Sequence, residues 1–232
     1  MPSRPKLREI VAALEKVYGK PEPFPSTDPW ELILRENASY LVDDATREAV
    51  FRSLKARVGI APEAILGAPT EQLVEAIGKG GMRPRMRADK LVDAAEIARE
   101  AGLPKLRRLA TEGGSEARKV FKRFPGIGEP GADKLLLAAG SAVTLAPDSN
   151  GLRVLVRLGY AREDARYAKT YRAAAEAVAP ELPRDTPWLV AAHHLLRRHG
   201  RETCRRSEPR CEICPLAKGC DFASAASGGR PR

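Results

Sequence analysis

No part of this 232-residue chain carries the roughly 18 consecutive apolar residues that a membrane-spanning helix needs. The first residues, Met1 to Ile10, hold charge but no apolar core of a signal peptide. The chain is therefore expected to be intracellular and unprocessed, with no membrane partner. No segment alternates polar and apolar residues with period two for long enough to form a strand, and no repeat of solenoid period is present. An all-α fold follows. Histidine is scarce: His193 and His194 lie in an apolar helical run and His199 near the cysteines, where packing, capping or phosphate contact explains them before metal binding. Cysteine is absent before Cys204.

What is present is basic. Forty Lys and Arg against 30 Asp and Glu give a net charge of +10, as expected of a protein that meets a polyanion such as nucleic acid. Arg-rich composition alone can produce the same number, so motifs decide the point. The four cysteines, Cys204, Cys211, Cys214 and Cys220, share one 17-residue stretch with spacing C-x6-C-x2-C-x5-C. Four thiolates in so short a loop make one complete ligand set for a soft metal or an iron–sulfur cluster. Two disulfides are a weaker reading, because nothing marks a secreted chain. On spacing alone, structural zinc and a cluster both stand.

Helical periodicity runs through most of the chain. Leu7, Ile10, Val11, Leu14, Val17 and Tyr18 mark one buried face, and Asp28-Pro29 is an N-cap with proline in the first turn. Helices are also expected over 44–58, 70–77, 88–101, 132–139, 150–158, 164–178 and 187–199, with Ser115 capping a run that holds Val120, Phe121 and Phe124. Residues 223–232 are small, polar and glycine-containing, so a disordered tail is expected.

Phe124-Pro125-Gly126-Ile127-Gly128-Glu129-Pro130-Gly131-Ala132 lies between two helical runs. Gly126 and Gly128 permit a tight connection whose N–H groups gather beside a helix N-terminus, a corner that binds phosphate without side chains. Lys119, Lys122 and Arg123 precede it. A lone Gly-x-Gly would be weak; here helices flank it and thiolates follow.

With the hairpin, Asp148 in Pro147-Asp148-Ser149-Asn150-Gly151-Leu152-Arg153-Val154, and His199-Gly200-Arg201-Glu202-Thr203-Cys204 running on to Cys220, the chain resembles the endonuclease III superfamily of helix-hairpin-helix DNA glycosylases from about Trp30 to Cys220. The resemblance implies a [4Fe–4S] cluster on all four cysteines. It implies two domains: a six-helix domain with the hairpin, 28–142, and a cluster domain from 1–27 with 143–222. Substrate would lie between them, with the damaged nucleotide turned out of the stack. The implied partner is double-stranded DNA carrying a lesion, mismatch or abasic site, met by a monomer associated with the nucleoid in the cytoplasm. DNA contacts would come from Gly126, Ile127, Gly128, Lys122, Arg83 and Arg153. The basic segments 83–87 and 197–201, with Arg205 and Arg206, are further candidates. The family also fills the hole left by the flipped base, and Asn37 and Met82 stand at roughly those positions. Glu36 and Tyr40 are implied to line the base pocket.

In the same comparison Asp148 becomes the carboxylate that stabilises positive charge on the sugar; an N-cap role explains the residue equally and the two are compatible. Bifunctional members use a lysine two residues past the second hairpin glycine. Here that residue is Pro130. Three readings follow: a monofunctional glycosylase with weak or no lyase activity, a displaced amine from Lys134 one turn further on, or an inactive protein that binds lesions or abasic sites. The first is favoured, and Lys134 more readily reads as an exposed or phosphate-contacting lysine. A zinc-bearing DNA-binding module ranks behind all three.

Overall fold

The computed structural model describes residues 4–228. Among them are thirteen α-helices and no β-ladder, only an isolated bridge between Tyr40 and Gly81. No described helix is long and apolar enough to cross a membrane. The chain divides into two compact units, one of Met1–Phe24 with Val143–Arg232 and the other of Pro25–Ala142. The boundary falls three residues before the expected Asp28, because Ser26 Oγ accepts the Asp28 N–H and joins that segment to the helix it precedes.

The first unit is built on α1 (Leu7–Tyr18), α10 (Ser149–Arg157), α11 (Tyr167–Val178), α12 (Thr186–Glu202) and α13 (Asp221–Gly228). Leu7, Ile10, Val11 and Leu14 of α1 meet Leu152 and Leu155 of α10 and Ala192, Leu195 and Leu196 of α12 in one core. The closest helix approach is at Gly200, where a Cβ would stand 2.4 Å from the Asn150 carbonyl oxygen. Helix α11 starts at Tyr167 rather than Asp164, whose carboxylate instead accepts the Arg166 N–H and pairs with Lys169. The expected disordered tail is helical through Gly228, with Ala223 buried in the core; the rest of it lies outside the described residues.

The second unit holds α2 (Pro29–Ala38), α3 (Asp44–Arg57), α4 (Pro62–Gly67), α5 (Thr70–Ile77), α6 (Pro84–Ala101), α7 (Leu103–Glu112), α8 (Gly114–Phe121) and α9 (Glu129–Ala138). Eight helices stand in this unit: the six runs expected from the sequence, with α4 (Pro62–Gly67) and α7 (Leu103–Glu112) added between them. Ser115 lies inside α8 and does not cap it. The alanine-rich face of α6, with Ala88, Leu91, Ala94, Ala95 and Ala98 buried, receives α2, α4 and α5. Trp30, 30 residues from its acceptor, buries its ring and donates Nε1–H to the Ile60 carbonyl at 2.6 Å.

One cation organises this unit. Arg87 is 2% exposed, and its guanidinium donates to the carbonyls of Ala38, Ile77 (2.8 Å), Gly81 (2.8 Å) and Met82 (3.0 Å). Ala38 and Ile77 end α2 and α5, where the helix dipoles concentrate negative charge. Burial lowers the Arg87 pKa, and the carbonyls replace the water that burial removed. Arg87→Leu removes these bonds, with a fifth to the Gly78 carbonyl at 3.4 Å, and strands the carbonyls. We expect a loss of about 3 kcal/mol or more in urea-unfolding free energy. A loss under half of that would show that another group organises the unit.

Candidate active site and metal centre

The hairpin closes the second unit's last helix pair. Phe124 and Ile127 are buried on either side of Gly126, and Ile127 N–H returns to the Phe124 carbonyl at 3.1 Å. Gly126 adopts φ +75°, a conformation glycine takes at little cost. Helix α9 then opens at Gly128, with Pro130 in its first turn. A helix start leaves N–H groups pointing outward, and Pro130 supplies none. Lys122 is half-exposed beside this corner, 3.9 Å from Glu129.

Asn37 is placed differently from expectation. It is 3% exposed, donates Nδ2–H to the Ile33 carbonyl at 3.0 Å, and sets its Oδ1 under Gly126, 3.1 Å from where a Cβ would lie. It supports the hairpin from below. The exposed residue is Leu41, four positions on, 76% exposed at φ +56°. Tyr40 N–H donates to the Gly80 carbonyl at 2.7 Å, which joins this loop to Met82, 60% exposed, and Arg83, also at φ +56°. Two apolar side chains thus project from two loops that one bridge and Arg87 hold together. Sequence reading did not single out Leu41, which lies in Ser39-Tyr40-Leu41-Val42-Asp43 with apolar neighbours on both sides.

Lys134 is not a free amine. It contacts Glu36 at 2.6 Å, and Arg47 approaches the same carboxylate at 3.7 Å. Glu36 belongs to α2 and lies one residue before Asn37, so the hairpin support and this charged cluster share one helix.

In the first unit, Asp148 caps α10. Its Oδ1 accepts N–H from Asn150 (2.9 Å) and Gly151 (2.8 Å), its Oδ2 accepts Asn150 Nδ2–H (3.2 Å), and Arg197 Nε lies 3.4 Å away. Asn150 Oδ1 accepts from Arg153 Nη2 at 3.0 Å. The same guanidinium donates to the carbonyls of Gly200 (2.6 Å) and Cys204 (2.9 Å). Arg153, expected at a DNA surface, is instead half-buried and bound to protein carbonyls; burial lowers its pKa. Tyr167 is pushed up to about 12 by burial and by the Asp148 charge. With Ser149 and Arg153 it lines a cavity of about 670 Å³ along α10.

The four thiols gather at the other end of α10. Arg157 Nη1 lies 3.3 Å from Cys204 Sγ, the Arg157 carbonyl accepts from Cys220 Sγ at 3.2 Å, and His199 Nε2 lies 3.5 Å from Cys214 Sγ. Among the described residues, no three His, Cys, Asp or Glu side chains are arranged to hold a single metal ion. Burial raises the Cys211 and Cys214 thiols, Cys214 to about 11, and the neighbouring thiolates add to the rise in both. Four mutually repelling sulfurs need positive charge among them to ionise together. A [4Fe–4S] core supplies that charge and takes four thiolates, so the donor set fits the group.

No protein-family model matches the chain. Endonuclease III of Rickettsia conorii is 28% identical over 223 residues, covering 92% of this chain and 96% of that protein. The structure of a trapped endonuclease III–DNA covalent intermediate superposes with TM-score 0.74 at 21% identity, covering 98% of this chain and all of that one. A thermostable thymine-DNA glycosylase superposes at TM-score 0.71 and 18% identity, covering 94% and 97%. At these identities the structural likenesses carry the fold.

Gly200→Ala places a methyl group against the Asn150 carbonyl and pushes α12 off α10. We expect a loss of roughly 1–3 kcal/mol in chemical denaturation, against no measurable change for Gly67→Ala, where nothing lies within 4 Å.

Proposed function

Within the endonuclease III-like helix-hairpin-helix superfamily of DNA glycosylases, to which this chain belongs, we propose that it excises a damaged or mismatched base by hydrolysis, with Asp148 as the carboxylate at the sugar and without a lyase step. The observation that carries the reading is the state of the two amine positions: Pro130 has no nucleophile, and Lys134 is drawn onto Glu36 at 2.6 Å. A Schiff base needs an unprotonated amine free to attack. Water addition needs none.

As the bond from sugar C1′ to the base breaks, its electron pair leaves with the base and positive charge spreads over C1′ and the ring oxygen. Asp148, fixed by two backbone N–H groups and Asn150, offers negative charge that does not have to reorganise as that cation forms. A water oxygen then bonds to C1′, and the proton it gives up ends on the departed base, which holds the electron pair of the broken bond. The hairpin N–H groups, Lys122 and Arg83 hold phosphates, and the net charge of +10 favours the duplex as a whole. Leu41 and Met82 occupy the space left by the extruded nucleotide, which offsets part of the few kcal/mol of lost stacking. Glu36, held between Lys134 and Arg47, offers an acceptor to the base. The four thiolates would hold a [4Fe–4S] cluster, which supplies a fixed scaffold and a redox centre. The protein acts as a monomer on double-stranded DNA.

Base release and strand scission, resolved on a panel of lesion and mismatch duplexes, test this. Asp148→Asn is expected to slow base release by about 100-fold or more while duplex affinity changes little, and borohydride should trap no adduct. An adduct that disappears in Lys134→Ala would overturn the hydrolytic reading. Protein that binds an abasic duplex yet releases no base from the whole panel would replace it with a lesion-binding function.

The projecting pair makes a separate claim. Leu41→Ala with Met82→Ala is expected to weaken binding to an abasic-site duplex by about tenfold, roughly 1.4 kcal/mol, with undamaged duplex little affected. Equal losses on both duplexes would remove the pair from lesion recognition.

A further inference from the structure

The His199 imidazole, 1% exposed in the last turns of α12, stands between two partners. Its Nδ1 lies 3.0 Å from Tyr18 Oη, and its Nε2 lies 3.5 Å from Cys214 Sγ. Tyr18 Oη is in turn 2.7 Å from Thr203 Oγ1. These contacts run in file from the residue before one cysteine to the sulfur of another, and all four residues belong to the first unit.

The direction of the file follows from proton inventory. A neutral imidazole carries one N–H, and a sulfur bound to iron has no proton to give. The nitrogen that faces Cys214 is therefore the donor, and Nδ1 is left with a lone pair. Tyr18 meets that lone pair with its hydroxyl proton, and Thr203 gives its own proton to the Tyr18 oxygen. Each member is an acceptor from the last and a donor to the next, an arrangement in which each bond polarises the following one. Two further contacts hold the Tyr18 ring in this orientation, since it meets His199 edge-on at 6.0 Å and lies under the Arg198 guanidinium at 4.9 Å.

We propose that Thr203, Tyr18 and His199 form a donor relay that ends in an N–H···S bond to Cys214 and raises the reduction potential of the iron–sulfur cluster held by the four thiolates. A donor aimed at sulfur favours the more electron-rich, reduced state, so its strength sets the potential. Tyr18 and Thr203 are positioning residues, because they act only through the His199 ring. The proposal rests on the cluster reading and is independent of base excision.

The test is a potentiometric titration of the purified protein, followed by visible absorption and electron paramagnetic resonance, with iron and sulfide measured in every sample. Tyr18→Phe keeps the ring and removes the hydroxyl. At equal iron content it should lower the midpoint potential, so that the reduced-to-oxidised ratio at a fixed applied potential falls several-fold. Thr203→Val should do the same to a smaller degree. His199→Leu removes the N–H and should give the largest drop, and His199→Gln, which retains a donor, should recover part of it. Should His199→Leu fail to fold, the Tyr18→Phe and Thr203→Val comparison decides alone. Unchanged midpoints in both with full iron content would overturn the relay, and so would a wild-type protein carrying zinc or no iron. Base-release assays on the same samples report separately on the glycosylase reading.

Discussion

The first unit depends on what one guanidinium does with its donors. Arg153 takes the Asn150 amide oxygen on one side and the carbonyls of Gly200 and Cys204 on the other, while Asn150 holds Asp148. The carboxylate is thereby connected, through two side chains, to the backbone of the first cysteine. This connection needs α10 and α12 to run almost in backbone contact, which the missing side chain at Gly200 allows. The cysteine loop is more than a remote staple. Its position is transmitted to the N-terminus of α10, and a shift there would turn the Asp148 oxygens away from their N–H donors. Placement within about half an ångström governs how well a fixed carboxylate stabilises a transient cation, so under the proposed function the loop would affect chemistry it does not touch.

How much of this the sequence discloses depends on how far away a residue finds its partner. Asp148 shows itself locally, because its donors are the N–H groups two and three residues on. The hairpin glycines and the four cysteines are legible for the same reason: each is a pattern within a short window. Arg153 has partners 47 and 51 residues away, and nothing in Gly-Leu-Arg-Val distinguishes it from an arginine that meets phosphate. Lys134 and Glu36 are 98 residues apart, so an apparently available amine is seen to be paired only in three dimensions. Asn37 and Leu41 differ by one helical turn. Helix α2 ends between them, after Ala38, and that end decides which is buried and which projects. Helical periodicity located most elements, but α4 and α13 are a short and a small-residue run with little pattern to read, while α7 carries an apolar face, Leu106, Leu109 and Ala110, that the sequence reading passed over.

Proline at position 130, where the resemblance implied a lysine, is consistent with the rest of its neighbourhood. Proline in the first turn of α9 is locally favourable, since its fixed φ suits a helix start and the N–H it lacks would have had no helical partner. The cationic charge in this part of the second unit is instead held on Lys134 and Arg47, and both are committed to Glu36. A nucleophilic amine must be free to reach its target, and Lys134 is held on the Glu36 carboxylate at 2.6 Å. Pro130 and the Lys134–Glu36 pair therefore point the same way, one by offering no amine and the other by engaging one.

Backbone strain in the second unit is concentrated in the loops that carry Leu41 and Arg83. Leu41 and Arg83 both adopt φ +56°, where a side chain beyond Cβ is disfavoured, and each such residue costs on the order of 1–3 kcal/mol unless the surroundings over-determine it. The surroundings do so here. Arg87 binds carbonyls on both sides of the Tyr40–Gly81 bridge, and glycine at 80 and 81 lets the two loops approach to where a Cβ at either position would lie 2.4 Å or less from a carbonyl oxygen. Gly80 and Gly81 take the close approaches, Gly81 also at φ +103°, while the other two positive-φ positions in these loops carry a leucine and an arginine. Leu41 and Met82 remain exposed although a core lies within the same unit. Under the proposed function, the faces of stacked bases would cover these two side chains.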